Sequence, residues 1–115
     1  MKRLDSLSVG IDQGTSDLFS DFEDDGEMWS GKGPRISRTA VTFSEIYAHP
    51  PAVTVGLSMF DMSNSANARV DLQAENVTAK GFEIVFRTWE DTQVARVRAA
   101  WQAIGALRGE DHWDI

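Results

Sequence analysis

Between residues 41 and 105 apolar side chains recur at every second position, and the phase restarts after each polar or glycine-containing break. Val53, Val55, Leu57 and Met59 share one side of an extended chain, while Thr54, Gly56 and Ser58 share the other. Period-two alternation places one face in a core and one in water, the pattern of a half-buried β-strand. Val70, Leu72 and Ala74 repeat it against Arg69, Asp71, Gln73 and Glu75. Phe82, Ile84 and Phe86 line a further inward face, and Val97, Ala99, Trp101 and Ala103 another, with Arg96 and Arg98 opposite. The breaks are Pro50-Pro51, Asn64-Ser65-Ala66-Asn67, Lys80-Gly81 and Glu90-Asp91-Thr92-Gln93. Proline cannot donate at a strand centre, and Asn, Asp, Ser and Gly favour tight turns.

Upstream the pattern is weaker. Residues 36–43 predict a strand with Val41 and Phe43 on one face. Residues 4–14 predict a first strand carrying Leu7, Val9 and Ile11 on one side and closed by Gly14. Residues 17–33 are acidic, aromatic and glycine-rich and read as a long surface loop, with a short strand near residues 18–22. About six strands at this spacing, with no helical period between them, predict an all-β fold, a six-stranded antiparallel β-sandwich. Residues 1–105 are expected to form one domain, and residues 106–115, which lack periodicity, a mobile C-terminal tail.

Charge and composition narrow the function. The net charge of −7 disfavours phosphate backbones and anionic lipid, so no nucleic-acid partner is expected. No stretch approaches the length of a membrane span, so no membrane insertion is expected. Without cysteine there is no disulfide framework, thiolate metal site or thiol nucleophile. The N-terminus has basic residues but no apolar run after them, so no secretory signal is recognisable. Cytoplasmic storage, non-classical release and delivery within a particle are all compatible with that. Asn76-Val77-Thr78 matches a glycosylation sequon and is read as the approach to a turn.

Candidate chemistry is sparse. Asp21-x-Glu23-x-Asp25-Gly26 begins like a calcium loop, but its twelfth position is Lys32 where a bidentate Glu belongs. His49 and His112 have no partners at ligand spacing, so no zinc site is expected. Nucleophile-elbow, P-loop and dinucleotide motifs are missing. The chain therefore reads as non-enzymatic, with no cofactor. Trp101 belongs to the inward face and is expected in the core, against Val55, Leu72 and Ile84. Arg96 and Arg98 fit either a solvated face or a contact between protomers, facing carboxylates such as Asp71 and Glu83.

One set of motifs runs through the alternating region in order: Val41-Thr42-Phe43, Pro50-Pro51, Val53 to Leu57, Asp61, Asn67-x-Arg69-Val70, Glu75-Asn76-Val77-Thr78, Gly81-Phe82, Thr88-Trp89, Thr92, and Trp101 with Ile104. In this combination the chain resembles the H-type lectins, the small β-sandwich domains of snail agglutinins and of the discoidin C-terminal region. The resemblance implies a trimer that holds galactose or N-acetylgalactosamine-type glycans in clefts between protomers. It also implies that Arg69, Trp89 and Glu90 occupy the sugar-contacting positions. The N-terminal loop matches more loosely and offers Trp29, with a carboxylate from Asp25, Asp24 or Glu27. Glu90 departs from the pattern, because animal members carry histidine there. An ionised Glu only accepts hydrogen bonds, whereas a neutral His also donates.

The same residue types suit sugar chemistry. A tryptophan offers an apolar face to the C–H patch of a pyranose. An arginine forks hydroxyls, and a carboxylate accepts from vicinal pairs. Each also has a blander reading: Trp89 as an edge shield, Arg69 in a surface ion pair with Asp71 or Glu75, and Glu90-Asp91 as a charged turn. The sequence thus points to a carbohydrate-binding lectin module. The alternative is a structural or adhesion module of a surface fibre or virion-like assembly, with a degenerate sugar site.

Overall fold

The computed structural model describes residues 1–5 and 7–108. Its strands are β1 (Val9–Ser20), β2 (Arg35–Thr42), β3 (Ala52–Met62), β4 (Val70–Glu75), β5 (Gly81–Thr88) and β6 (Val94–Ala106), with one short helix, α1 (Glu27–Ser30), between β1 and β2. They form two antiparallel three-stranded sheets, ordered β1-β6-β3 and β2-β5-β4. The six-stranded sandwich expected from the alternation is the architecture observed.

The sheets meet over two adjoining apolar clusters. One gathers Phe43, Tyr47, Phe82, Ile84, Ala99 and Ala103. The other gathers Met28, Phe86, Val94 and Val97, and Leu18 and Leu72 touch both. β3, β5 and β6 turn the predicted residues inward. Trp101 is half-buried against the first cluster, its ring 5.5 Å from Phe82 and 6.1 Å from Phe43. Val55, Leu72 and Ile84 belong to the same cluster.

β1 differs from expectation. Leu7, Val9 and Ile11 are exposed, and the inward side of the strand carries Gly10, Asp12, Gly14 and Ser16. The cause is the neighbour on β6. Gly14 lies opposite Trp101, and a Cβ added there would sit 3.0 Å from the indole. Trp101 covers β1 at Gly14, and Leu107, just past β6, covers it at Gly10, where an added Cβ would sit 2.9 Å from the leucine side chain. The strand also runs to Ser20, so the loop starts at Asp21. A register shift between Asp17 and Phe19 turns Leu18 and Phe19 inward together, and Phe19 packs edge-on against Phe86 at 5.4 Å.

Arg96 and Arg98 pair within their own sheet. Arg98 Nε donates to Asp17 Oδ1 on β1 (2.8 Å), and Arg96 Nε to Asp61 Oδ2 on β3 (3.0 Å). Asp71 and Glu83 belong to the opposite sheet, where they face Arg87 and Arg38. β6 extends one residue beyond Gly105, and Leu107 N–H donates to Ser8 O. The rest of the expected tail, residues 109–115, and His112 with it, lie outside the described residues.

Candidate functional site

Register gathers several chain segments at one end of the sandwich. Thr88, the last residue of β5, faces Arg35 at the start of β2 and Val70 at the start of β4. The start of β6 and the end of β3 reach the same end, where Val94 faces Met62. The connection from β5 to β6, Trp89 to Gln93, therefore crosses the tip of the sandwich beside the segment leading into β4.

Two buried threonines fix that crossing. Thr88 Oγ1 donates to Arg69 O (2.6 Å), and Thr92 Oγ1 to Asn67 O (2.6 Å). The threonines of the Thr88-Trp89-x-x-Thr92 motif are thus clamps on the 67–69 segment. Between them the chain must arch, and Glu90 takes a left-handed conformation at φ 59°. For a residue with a Cβ that costs roughly 1–2 kcal/mol, so surrounding contacts must hold it. The arch presents Trp89, 40% exposed, and Glu90 to solvent.

Arg69 points at the same arch. Its Nη1 donates to Asp91 Oδ1 at 2.5 Å, and this bond holds the Asp91 carboxyl below the usual aspartate range. The expected surface partners Asp71 and Glu75 instead engage Arg87, whose Nη1 lies 2.7 Å from Glu75 Oε2. The structure therefore brings Arg69, Trp89 and Glu90 to one edge, and adds Asp91 as the residue that aims the arginine. The sequence showed Asp91 only as part of a charged turn.

The N-terminal loop joins this edge through its backbone. Gly33 N–H donates to Glu90 O (2.9 Å), and Gln93 Nε2 reaches Trp29 O (3.4 Å). Trp29 is half-buried, with its ring edge-on to exposed Phe22 at 4.9 Å. Asp25 is exposed, with φ 53°, and its carbonyl accepts from Ser30 Oγ. Trp29 is thus connected to the arch, whereas Asp25 has its contact within its own loop. The acidic run is not shaped as a cation cage. Asp21 Oδ2 accepts the Met28 N–H (2.9 Å) at the start of α1. Among the described residues no group of three or more metal-ligating side chains is assembled, and no helix is long and apolar enough to cross a membrane.

Beneath the arch sits Arg35, 3% exposed. Its guanidinium donates to four main-chain carbonyls: Gly33 O from Nε (2.9 Å), Met28 O and Thr92 O from Nη1 (3.1 and 2.8 Å), and Glu90 O from Nη2 (3.0 Å). The sequence signal for it was available, since Arg35 is in phase with Ser37, Thr39, Val41 and Phe43 on the inward side of β2. A charged residue at an inward position calls for a buried partner set.

The chain is similar to several known proteins. A family model described as the H-type lectin domain matches residues 38–104, which include Arg69 and the arch but not Arg35 or the N-terminal loop. A protein of Fuscovulum blasticum named ATP synthase subunits region ORF 7 is 57% identical over 108 residues, 94% of each chain. Two discoidin-1 polypeptides of Dictyostelium discoideum are each 33% identical over 75 residues, 64% of this chain and 30% of theirs. The structure of discoidin II from the same organism superposes with a TM-score of 0.74 at 23% identity, over 87% of this chain and 38% of that one. The chain thus spans well under half the length of the discoidins it matches.

Proposed function

The chain belongs to the H-type lectin family and carries its carbohydrate-binding type of domain, and from that premise we propose that it binds galactose or N-acetylgalactosamine-type glycans, without catalysis, at Arg69, Trp89 and Glu90. The observation that carries the reading is the pair of threonine clamps that bring Arg69 beside the Trp89–Asp91 arch. A pyranose lying on the indole would find a donor fork and an acceptor within one small edge. Trp29 and Asp25 are proposed as the outer rim of that site, Trp29 with the better support because its carbonyl is tied to Gln93.

We further propose a homotrimer with the sugar held across protomer boundaries. Val9 and Ile11 stand exposed on the outer side of the β1-β6-β3 sheet, and Phe60 is 61% exposed at its end. Exposed edge strands and apolar side chains of this kind are commonly covered by association. The second reading is a structural or adhesion module whose sugar site is degenerate. In that reading the Arg69–Asp91 pair is a surface ion pair and no more.

A glycan array on the purified protein, with the solution mass measured in the same buffer, separates the two. Binding to terminal galactose-type sugars and a mass near three times the 12.8 kDa chain support the lectin reading. An empty array with a trimeric mass supports the structural reading.

A further inference from the structure

We propose that Arg35 is the positioning residue of the sugar site: it touches no ligand, and sets the arch and the N-terminal loop as one unit. The proposal rests on the carbohydrate reading above and deepens it.

All four acceptors of Arg35 are main-chain carbonyls, and they belong to two separate segments, Met28 and Gly33 before β2 and Glu90 and Thr92 before β6. A buried guanidinium used for an ion pair would face a carboxylate. This one instead measures the distance between two backbone loops. Its planar fork presents five N–H donors in fixed directions, which a lysine ammonium on a flexible stem cannot reproduce.

The arch needs such a brace. Glu90 is the residue in the left-handed conformation, and its carbonyl accepts from both Arg35 Nη2 and the Gly33 N–H. Gly33 has φ 73°, which glycine adopts freely, so the strain in that bonded pair lies on Glu90 alone. Arg35 supplies the restraint from the interior, while Thr88 and Thr92 fix the ends of the arch. The direction in which Trp89 and Glu90 leave the chain follows from that restraint. The exposed residues of the site are therefore orientated by one that is almost fully buried.

The test uses Arg35→Lys and Arg35→Gln beside the wild type, with galactose and N-acetylgalactosamine as probes and amide hydrogen exchange as a second readout. The expected result is loss of affinity by about tenfold to a hundredfold in both variants, the scale of one hydrogen bond to a charged group. The Gly33 amide, which reports the bond to Glu90, should exchange at least tenfold faster, while amides in the central strands β5 and β6 keep their protection. Wild-type affinity in the lysine variant overturns the proposal. So does exchange that rises uniformly through β5 and β6, or failure of the lysine variant to fold, because either makes Arg35 a general structural residue. If the wild type binds neither sugar, the carbohydrate reading fails by itself. The Gly33 exchange then still decides whether Arg35 braces the arch, and unchanged exchange overturns that too.

Discussion

Asp91 Oδ1 accepts from Arg69 Nη1 across 22 residues of sequence, and this bond turns the arginine at the entrance of β4 toward the arch that carries Trp89 and Glu90. The pair is exposed, and its consequence is orientation more than stability.

Asp91→Asn should accordingly leave the melting temperature nearly unchanged and weaken sugar binding. The pH dependence has a defined sign. The carboxyl is held below the usual aspartate range by Arg69, so the pair is complete at neutral pH and is lost only as pH falls through that lowered value. A carbon-13 titration of the Asp91 carboxyl checks this. The midpoint should lie below that of an unpaired aspartate in the wild type and rise in Arg69→Met.

Trp89 is exposed, and removing it should separate binding from folding. Trp89→Ala is expected to change stability by no more than about 0.5 kcal/mol, as surface substitutions do, and to abolish sugar binding. Chemical denaturation and a binding isotherm on the same preparation check both halves.

Glu90 combines a strained backbone with a proposed ligand contact. Glu90→Gly should raise stability by about 0.5–1 kcal/mol, the left-handed penalty less the entropy that glycine adds to the unfolded chain. The same change should weaken sugar binding about tenfold to a hundredfold by removing a charged acceptor. Glu90→His should shift preference toward N-acetylgalactosamine and make binding sensitive near pH 6–7, where imidazole titrates. A melting curve of the glycine variant and array profiles of all three proteins test this. Identical profiles would remove Glu90 from the site.

Trp101→Ala should cost about 3 kcal/mol, the lower end of the range for a large aromatic, because the ring is half-buried and not fully enclosed. An unchanged denaturation midpoint would contradict its place between Phe43, Phe82 and Gly14.

Much of the fold was legible because β3, β5 and β6 each send one alternating set of apolar residues between the sheets, so Val53, Phe82 and Val97 announce their own direction, although Val85 on the other face of β5 is fully buried too. β1 was misread for a physical reason. Its inward face is small so that Trp101 can lie over Gly14, and alternation along one strand carries no trace of a neighbour's side chain. The partners of Arg96 and Arg98 failed to show for a related reason, since Asp61 and Asp17 reach them only through cross-strand register. α1 spans four residues, too short to establish a helical period. At the site, Arg69 and Trp89 were readable as residue types and Arg35 as a charge at an inward position, whereas the acceptors of Arg35 and of the two threonines are backbone carbonyls, and the Arg69–Asp91 pair depends on the turn, none of which residue types spell out.

The most direct test of the central claim is a two-dimensional NMR titration of the labelled protein with galactose and N-acetylgalactosamine, following the indole of Trp89 and the amides of Glu90 and Gly33. These three signals should move together on adding one of the sugars, while amides beside Arg96 and Arg98 stay in place. Silence at Trp89 with both sugars, or shifts confined to the Arg96–Arg98 surface, would contradict sugar binding at the arch.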